Sequence, residues 1–273
     1  MTTQLGIGTY AYAWSIGVPG YEQPENPMRY HEFLQAAVNL SVSVAQIADN
    51  LPLHTLSDSE RVALKAFADE NGITLEVGTR GIQPEHLRTY LDIAQEFDSA
   101  ILRVVVDTAD HHPDVPEIID ILRGMLPEFK SRDITLAIEN HDRFKARDLV
   151  TVLEAVDSTH VGICMDTVNS FGSLEGPEVV VAHLGKYVVN LHVKDFSIRR
   201  IDHNMGFLLD GTPAGAGMLD VPWMLEQLNQ HGRDYNAIIE LWPAPEATMQ
   251  QTIAKERQWA QQSVSTMRQW IKD

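Results

Sequence analysis

Four side chains of the kinds that bind metal ions close apolar runs in the second half of the chain. Glu139 ends the run in "LAIEN", Asp166 follows "VGICM", His192 lies in "NLHVK" and Glu240 follows "NAII". Three carboxylates and one imidazole form an oxygen-rich donor set that suits Mn²⁺ or Mg²⁺ and also accepts Co²⁺ or Zn²⁺. The alternative is that each acid pairs with a nearby Lys or Arg. We favour the metal because buried carboxylates are costly without compensation, and one divalent cation compensates all three.

Such a site predicts chemistry through an enediolate. A divalent cation that holds a carbonyl oxygen and a neighbouring hydroxyl oxygen stabilises the enediolate left when a proton departs. Two carboxylates on opposite faces of the substrate can remove and return that proton, and we expect Glu139 and Glu240 in these roles. Loss of CO₂ or of water leads to the same kind of intermediate. The metal site alone therefore does not separate an isomerase or epimerase from a lyase.

The elements that must position these residues alternate between short apolar runs and amphipathic stretches. Intervals of 27, 26 and 48 residues separate the four candidates in chain order, which corresponds to one strand-helix unit each, the last with a long loop. Eight strands alternating with about eight helices predict an α/β fold, a (β/α)₈ TIM barrel that forms a single domain over residues 1–273. The C-terminal ends of barrel strands share one face, so we expect the four side chains to meet there. The predicted strands are residues 5–8, 42–47, 73–77, 100–106, 134–138, 161–165, 187–193 and 236–241, and the predicted helices are residues 27–40, 57–72, 84–97, 115–132, 146–157, 177–186, 220–232 and 247–270.

Several motifs taken in order resemble one superfamily over nearly the whole chain. "LAIEN", "CMDTVN", "LHVKD", "GAGMLD" and "IIELW" are similar to motifs of the xylose isomerase-like barrels, which include sugar phosphate isomerases and epimerases and AP-endonuclease-2-like proteins. The resemblance implies that Glu139, Asp166, His192 and Glu240 hold the metal, and that the two glutamates exchange protons with a keto sugar. The endonuclease branch, which uses a histidine-rich zinc site, is not favoured by this acidic chain.

Two positions depart from the ketose 3-epimerases of that superfamily. Those enzymes carry a second glutamate six residues after the first ligand and a histidine three residues after the aspartate, where this chain has Lys145 and Asn169. The stretches "DTVNSFGSLEGP" and "TYAYAWSIGVPGY" resemble a subgroup that decarboxylates 3-oxo sugar acids. The resemblance thus implies an isomerase or epimerase, with a lyase as the alternative: a decarboxylase of an acid such as 3-oxo-isoapionate, or a dehydratase of a keto-inositol. A non-catalytic sugar-binding barrel is the second alternative, although a binding protein does not need a full ligand set.

Further residues are candidates for contacts with a carbohydrate or sugar-acid substrate. Lys194 shares a face with His192 and is expected either to reach a substrate carboxylate or oxyanion, as a catalytic group, or to pair with Asp166 or Glu139. Glu76 and Arg103 are expected to pair with each other on neighbouring strands. Core packing is the alternative for the aromatic candidates, and a surface position for His141. The predicted substrate contacts are His54, Arg103, His141, Asn169, Trp242, Tyr12 and Trp14.

Composition limits the partners. The 38 acidic residues against 21 basic ones give a formal charge of −17, which repels nucleic acid. The chain shows neither a signal-peptide pattern nor a membrane-spanning apolar run, so we expect a soluble cytoplasmic protein. A single cysteine, Cys164, excludes an intrachain disulfide and a thiolate-rich metal cage. Trp259 and Trp270 in the last helix would permit a homo-oligomer.

Overall fold

Eight parallel strands close into a barrel in the computed structural model, which describes residues 3–272. Each strand pairs with its neighbours along the chain, and the last strand closes the ring against the first. Every predicted strand is present with its ends shifted by a few residues at most, and the predicted (β/α)₈ fold class is confirmed. The barrel strands are β1 Leu5–Gly8, β2 Val44–Ile47, β3 Thr74–Arg80, β4 Ile101–Val105, β5 Thr135–Glu139, β6 Val161–Asp166, β7 Val188–Val193 and β10 Asn236–Ile239.

Helices surround the barrel and begin where the sequence supplies capping residues. Ser57, Asp114, Asp220 and Thr248 each accept a hydrogen bond from a backbone N–H in the first turn of the helix that follows. The predicted helices are confirmed, and none of their bounds moves by more than three residues. The helices are α1 Ala13–Ile16, α2 Tyr30–Leu40, α3 Asp58–Glu70, α4 Pro84–Glu96, α5 Val115–Arg132, α6 Ala146–Val156, α7 Pro177–Leu184, α8 Val221–Asn229 and α9 Met249–Met267.

The long connection after β7, expected as a loop, contains a β-hairpin that the sequence analysis did not predict. β8 Asp195–Arg200 pairs antiparallel with β9 Phe207–Thr212. The pattern concealed it because both strands are largely exposed, so that no clear alternation of apolar and polar residues marks a buried face. Apolar side chains on this hairpin, including Met205 and Phe207, face solvent.

The apolar core lies mainly between the barrel and the helices, while part of the barrel interior is polar. Phe33 of α2 and Phe129 of α5 are fully buried in the outer layer. Inside the barrel, where aliphatic side chains are usual, the chain instead buries polar ones such as Gln46, Asn190 and His192. Within residues 3–272, no helix combines the length and the apolar character needed to cross a bilayer.

Candidate metal and substrate site

The structure brings the four predicted ligands together at the C-terminal ends of β5, β6, β7 and β10. All four side chains are buried, with exposures of 3% or less. His192 Nδ1 lies 3.2 Å from Glu139 Oε2, 3.3 Å from Glu240 Oε1 and 3.9 Å from Asp166 Oδ2. The imidazole is therefore at the centre of three carboxylates that come from three other strands.

Atoms of this cluster lack hydrogen bonds. Within residues 3–272, His192 Nδ1, Asp166 Oδ2 and both carboxylate oxygens of Glu240 are buried and make no hydrogen bond of acceptable geometry. Two of these oxygens, Asp166 Oδ2 and Glu240 Oε2, form ion pairs with the Lys194 ammonium instead. Asp166, His192 and Glu240 also present ligand atoms within 4.8 Å of one another. Three carboxylates around one imidazole nitrogen form a donor set that fits a divalent cation.

Cys164 lies beside this cluster but is a poor ligand. Its Sγ belongs with Glu139 and His192 to a second group of atoms close enough to share an ion. Burial raises the pKa of the Cys164 thiol well above its ordinary value, and the nearby Glu139 carboxylate adds to the effect. The protonated thiol donates to Asn190 Oδ1 at 3.3 Å. Cys164 thus acts as a neutral hydrogen-bond donor beneath the carboxylates.

Lys194 reaches across the cluster. Its Nζ lies 2.8 Å from Asp166 Oδ2 and 3.0 Å from Glu240 Oε2. Burial lowers the pKa of the Lys194 ammonium, but the Asp166 and Glu240 carboxylates outweigh that effect and raise it above its ordinary value. Of the two interpretations made from the sequence, the ion pair with Asp166 is present, and the second carboxylate is Glu240 rather than Glu139. Lys194 therefore provides a positive charge to two of the oxygens that lack hydrogen bonds.

Glu139 is held by two donors. Arg103 Nε donates to Glu139 Oε2 at 2.5 Å, and Asn169 Nδ2 donates to Oε1 at 2.7 Å. Burial raises the pKa of the Glu139 carboxyl, but Arg103 and His192 outweigh it and hold the pKa well below its ordinary value. Gly78 leaves room for the guanidinium stem, since a Cβ there would lie 3.3 Å from Arg103 Cδ. Glu139 is therefore a fixed carboxylate.

The expected pair between Glu76 and Arg103 is not formed. Arg103 pairs in register with Gly78, so Glu76 lies one layer deeper in the barrel, next to Gln46. Glu76 accepts hydrogen bonds from three side-chain amides instead, and Arg103 binds Glu139 and Asp49. The prediction is wrong because it ignored the stagger between β3 and β4, which places Arg103 beside Gly78 and not beside Glu76.

Asp49, at the rim of the barrel, was missed by the sequence analysis. Asp49 Oδ1 accepts from Arg103 Nη1 at 2.8 Å, and Oδ2 accepts from Arg80 Nε at 3.0 Å and from the Tyr10 hydroxyl at 3.1 Å. Burial raises the pKa of Asp49, but the two guanidinium groups outweigh it and lower it overall. A signal was available, because Asp49 is an acidic residue two positions beyond the end of β2, and Glu240 directly follows the last barrel strand.

The remaining predicted substrate contacts are distributed around the same face and the layer outside it. His54 Nδ1 bonds the Tyr90 hydroxyl at 2.8 Å, on the loop after β2. His141 lies beside Asp142 after β5, with one third of its side chain exposed. Trp242 Nε1 donates to the Asp195 carbonyl at 3.3 Å, at the base of the hairpin.

The two aromatic residues after β1 pack as core residues. Tyr12 lies edge-on to Phe33 of α2, between the barrel and the helices, which agrees with the packing alternative. Trp14 Nε1 donates to the Pro243 carbonyl at 2.9 Å, and its ring is buried. The structure does not bring Tyr12 into the group formed by the four ligands.

Asp195 organises the connection between the hairpin and α8. Its buried carboxylate accepts from the backbone N–H groups of Phe196, Gly215, Gly217 and Leu219 at 2.7–3.0 Å. These contacts connect two of the sequence motifs. Asp195, the aspartate of "LHVKD", accepts hydrogen bonds from both glycines of "GAGMLD". They fix the hairpin beside Lys194.

Comparisons with known proteins identify the family to which this barrel belongs. Residues 34–270 match the family model described as Xylose isomerase-like TIM barrel. The chain is 34% identical over 263 residues to a 3-oxo-isoapionate decarboxylase of Pectobacterium atrosepticum, covering 96% of this chain and 94% of that protein.

Two solved structures share the fold. One is a D-psicose 3-epimerase with D-tagatose from Clostridium cellulolyticum H10, with a TM-score of 0.73 and 17% identity over 99% of this chain and 100% of that one. The other is a xylose isomerase-like TIM barrel protein from Mycobacterium smegmatis in complex with magnesium, with a TM-score of 0.68 and 15% identity over 97% of each chain. The chain belongs to the xylose isomerase-like TIM barrel family.

Proposed function

We propose that this protein is a divalent-metal-dependent decarboxylase of a 3-oxo sugar acid. The observation that carries the proposal is the 34% identity to a 3-oxo-isoapionate decarboxylase over nearly the full length of both chains. The cluster around His192 supports it, because three carboxylates and one imidazole with ligand atoms close together suit a cation of the Mn²⁺ or Mg²⁺ type.

Glu139, Asp166, His192 and Glu240 would hold the metal. When bound, a divalent cation supplies positive charge next to the substrate oxygens on which negative charge develops. Arg103 and Asn169 keep Glu139 ionised and oriented, so that its carboxylate is ready before any ligand arrives. Two protein side chains therefore hold Glu139 in this orientation.

The reaction needs a sink for electrons and one proton. In a 3-oxo acid the ketone is β to the carboxylate, so the electron pair of the breaking C–C bond passes toward the ketone oxygen as CO₂ leaves. The carbon that lost CO₂ then takes up a proton. We assign Lys194 Nζ as the donor because it is a partly buried ammonium at the cluster. If Asp166 and Glu240 bound a cation, Lys194 would share its counter-ions and would release a proton more easily.

Two features favour a lyase over an isomerase. Proton exchange by two glutamates requires each to carry a proton in turn, and the environment of Glu139 opposes protonation. Decarboxylation requires only one donor. In addition, Asn169, which replaces the histidine of the ketose 3-epimerases, is engaged with Glu139 and Lys194.

An isomerase or epimerase is the second candidate, and one observation favours it. Glu139 and Glu240 lie 3.2 and 3.3 Å from His192 Nδ1, so both carboxylates that an epimerase would use are present in one cluster. In either reaction we place the sugar hydroxyls near His141 and Trp242, and His54 further along the rim.

The test is a substrate panel with two readouts. Protein loaded with Mn²⁺ is incubated with 3-oxo-isoapionate, other 3-oxo sugar acids and neutral keto sugars, while CO₂ is measured and the products are identified by NMR. We expect CO₂ from a 3-oxo acid, unchanged keto sugars, and no CO₂ with Asp166→Asn. Epimerised keto sugars without CO₂ from any acid would instead assign the isomerase.

A further inference from the structure

A network of side-chain amides lies directly beneath the proposed metal site. Gln46 of β2, Glu76 of β3 and Asn190 of β7 point into the barrel and are almost completely buried. Aliphatic side chains normally fill this volume, and polar groups there are tolerated only when their hydrogen bonds are satisfied. The network ends on His192, whose Nε2 lies 2.6 Å from Gln46 Oε1.

Glu76 determines which groups of the network donate hydrogen bonds and which accept them. Its Oε2 accepts from Gln46 Nε2 and from Asn190 Nδ2, each at 2.9 Å, and its Oε1 accepts from Asn236 Nδ2 at 2.7 Å. Burial raises the pKa of the Glu76 carboxyl above its ordinary value, but its oxygens accept in all three contacts, so each of the three amides turns its NH₂ group toward it. The acid therefore dictates how Asn190 and Gln46 are oriented.

Two hydrogen bonds determine the orientation of the Gln46 amide. Its Nε2 donates to Glu76 Oε2 and also to Asn190 Oδ1 at 3.0 Å. Asn190 Oδ1 is available for this because the Asn190 NH₂ group is used by Glu76, and it also accepts from the Cys164 thiol. With both amide protons committed, Gln46 can present only Oε1 to His192.

We propose that Gln46, oriented by Glu76 and Asn190, is a positioning residue that holds the His192 ring through Nε2 and keeps Nδ1 facing the carboxylates. An acceptor at 2.6 Å from Nε2 requires a hydrogen there. The other ring nitrogen, Nδ1, is the atom that lies among Glu139, Asp166 and Glu240. A ring turned away from this direction could not offer Nδ1 to a cation.

The inference rests on the proposed metal site and extends it to residues that never touch the cation. A metal-binding histidine whose second nitrogen is held by a hydrogen bond keeps its tautomer and ring angle, and losing that partner costs about 10–100-fold in metal affinity. Here the partner is an amide whose direction is fixed by a carboxylate one layer deeper in the barrel.

The experiment combines metal affinity with a spectrum that reports the hydrogen bond at His192 Nε2. Gln46→Met keeps the volume but removes the acceptor. We expect it to weaken Mn²⁺ binding, followed by titration calorimetry, by about 10-fold or more. Protein loaded with Mg²⁺ and labelled with ¹⁵N-histidine is compared by NMR at one pH, and His192→Asn identifies the signals. The wild type should show a His192 Nε2–H that is protected from exchange with solvent, and Gln46→Met should lose that protection.

A control and a second variant complete the test. Ser263→Ala removes another buried hydrogen bond, to the Ala214 N–H, far from His192 in sequence, and should change neither affinity nor the protection of the His192 Nε2–H. Glu76→Gln keeps the shape of the network but lets Gln46 turn, so it should also reduce that protection, and it decides the matter alone if Gln46→Met fails to fold. Unchanged protection and affinity in the folded variants would overturn the inference. A wild type that binds Mn²⁺ with a protected Nε2–H but releases no CO₂ would count only against the proposed function.

Discussion

Arg103 and Glu139 form an ion pair in which both side chains are almost fully buried, with Nε 2.5 Å from Oε2. Removing one partner of such a pair leaves a buried charge without compensation, which typically costs about 3–5 kcal/mol. The guanidinium also binds Asp49 at 2.8 Å, so the same loss would affect two carboxylates. The ion pair therefore contributes to the stability of the barrel and also keeps Glu139 ionised in the proposed metal site.

We expect Arg103→Met to lower the free energy of unfolding by about 3–5 kcal/mol in metal-free protein, measured by urea denaturation. Saturating Mn²⁺ should recover part of this loss, because a cation at the cluster again compensates Glu139. Arg88→Met is the matched control, since it breaks a half-exposed pair with Glu128 and should cost at most about 1 kcal/mol. Equal losses in the two variants would show that the buried pair has no special role.

Lys194→Met should separate binding from turnover. Without Nζ, no ammonium competes with a cation for Asp166 and Glu240, so Mn²⁺ should bind more tightly than in the wild type. The same variant lacks the proposed proton donor, and CO₂ release should fall by about 10²–10⁴-fold. Calorimetry and a CO₂ assay give the two quantities.

Lys145→Met is the control for that experiment. Lys145 lies after β5 on the same face of the barrel, is partly exposed, and donates to the Ser173 carbonyl at 2.5 Å. It should leave both affinity and turnover close to wild type. Normal turnover in Lys194→Met would remove this lysine from the reaction.

Much of the site could be predicted because the barrel has one simple rule. Short runs rich in β-branched residues give the strands, and the residue that closes each run lies at the active face. This rule found Glu139, Asp166 and Glu240, and the two-residue period of a strand placed Lys194 on the side of His192.

The rest depends on geometry that a single sequence does not contain. The stagger between β3 and β4, and not the residue types, decides that Arg103 meets Glu139 instead of Glu76. Gln46 in the middle of a strand is an ordinary polar residue until its neighbours across the barrel are known. Asp195 likewise gains its meaning only when four backbone N–H groups from two segments converge on it.

Metal removal should change stability through the four ligands. A ligand that binds only the folded state at 100 times its dissociation constant stabilises it by about 2.7 kcal/mol. Wild-type protein treated with EDTA should therefore gain about this much on addition of Mn²⁺, measured by urea denaturation. Asp166→Asn should abolish the gain, whereas Asp110→Asn, at an exposed position after β4, should retain it. A gain that survives Asp166→Asn would place the ion elsewhere.

Glu256 predicts a pH dependence of stability that arises outside the cluster. This fully buried side chain of α9 accepts from the Trp14 N–H at 2.8 Å and from the N–H and hydroxyl of Ser15 at 2.9 and 2.6 Å. Burial raises its pKa from 4.5 to about 7, against the effect of these donors and of Arg257. Through its hydrogen bonds to Trp14 and Ser15, Glu256 connects the segment after β1 to the last helix.

The direction in which stability changes with pH follows from the raised pKa of Glu256. Between the ordinary pKa of 4.5 and about 7, the folded protein keeps the proton on Glu256 while the unfolded chain has lost it. The contribution of this group is therefore complete below the unfolded value and is lost as the pH rises through about 7, a change on the order of 3 kcal/mol. Glu256→Gln cannot titrate, so its stability relative to wild type should rise between about pH 5 and pH 8 in urea denaturation. Parallel pH profiles for the two proteins would mean that the carboxyl ionises inside the fold as easily as in water.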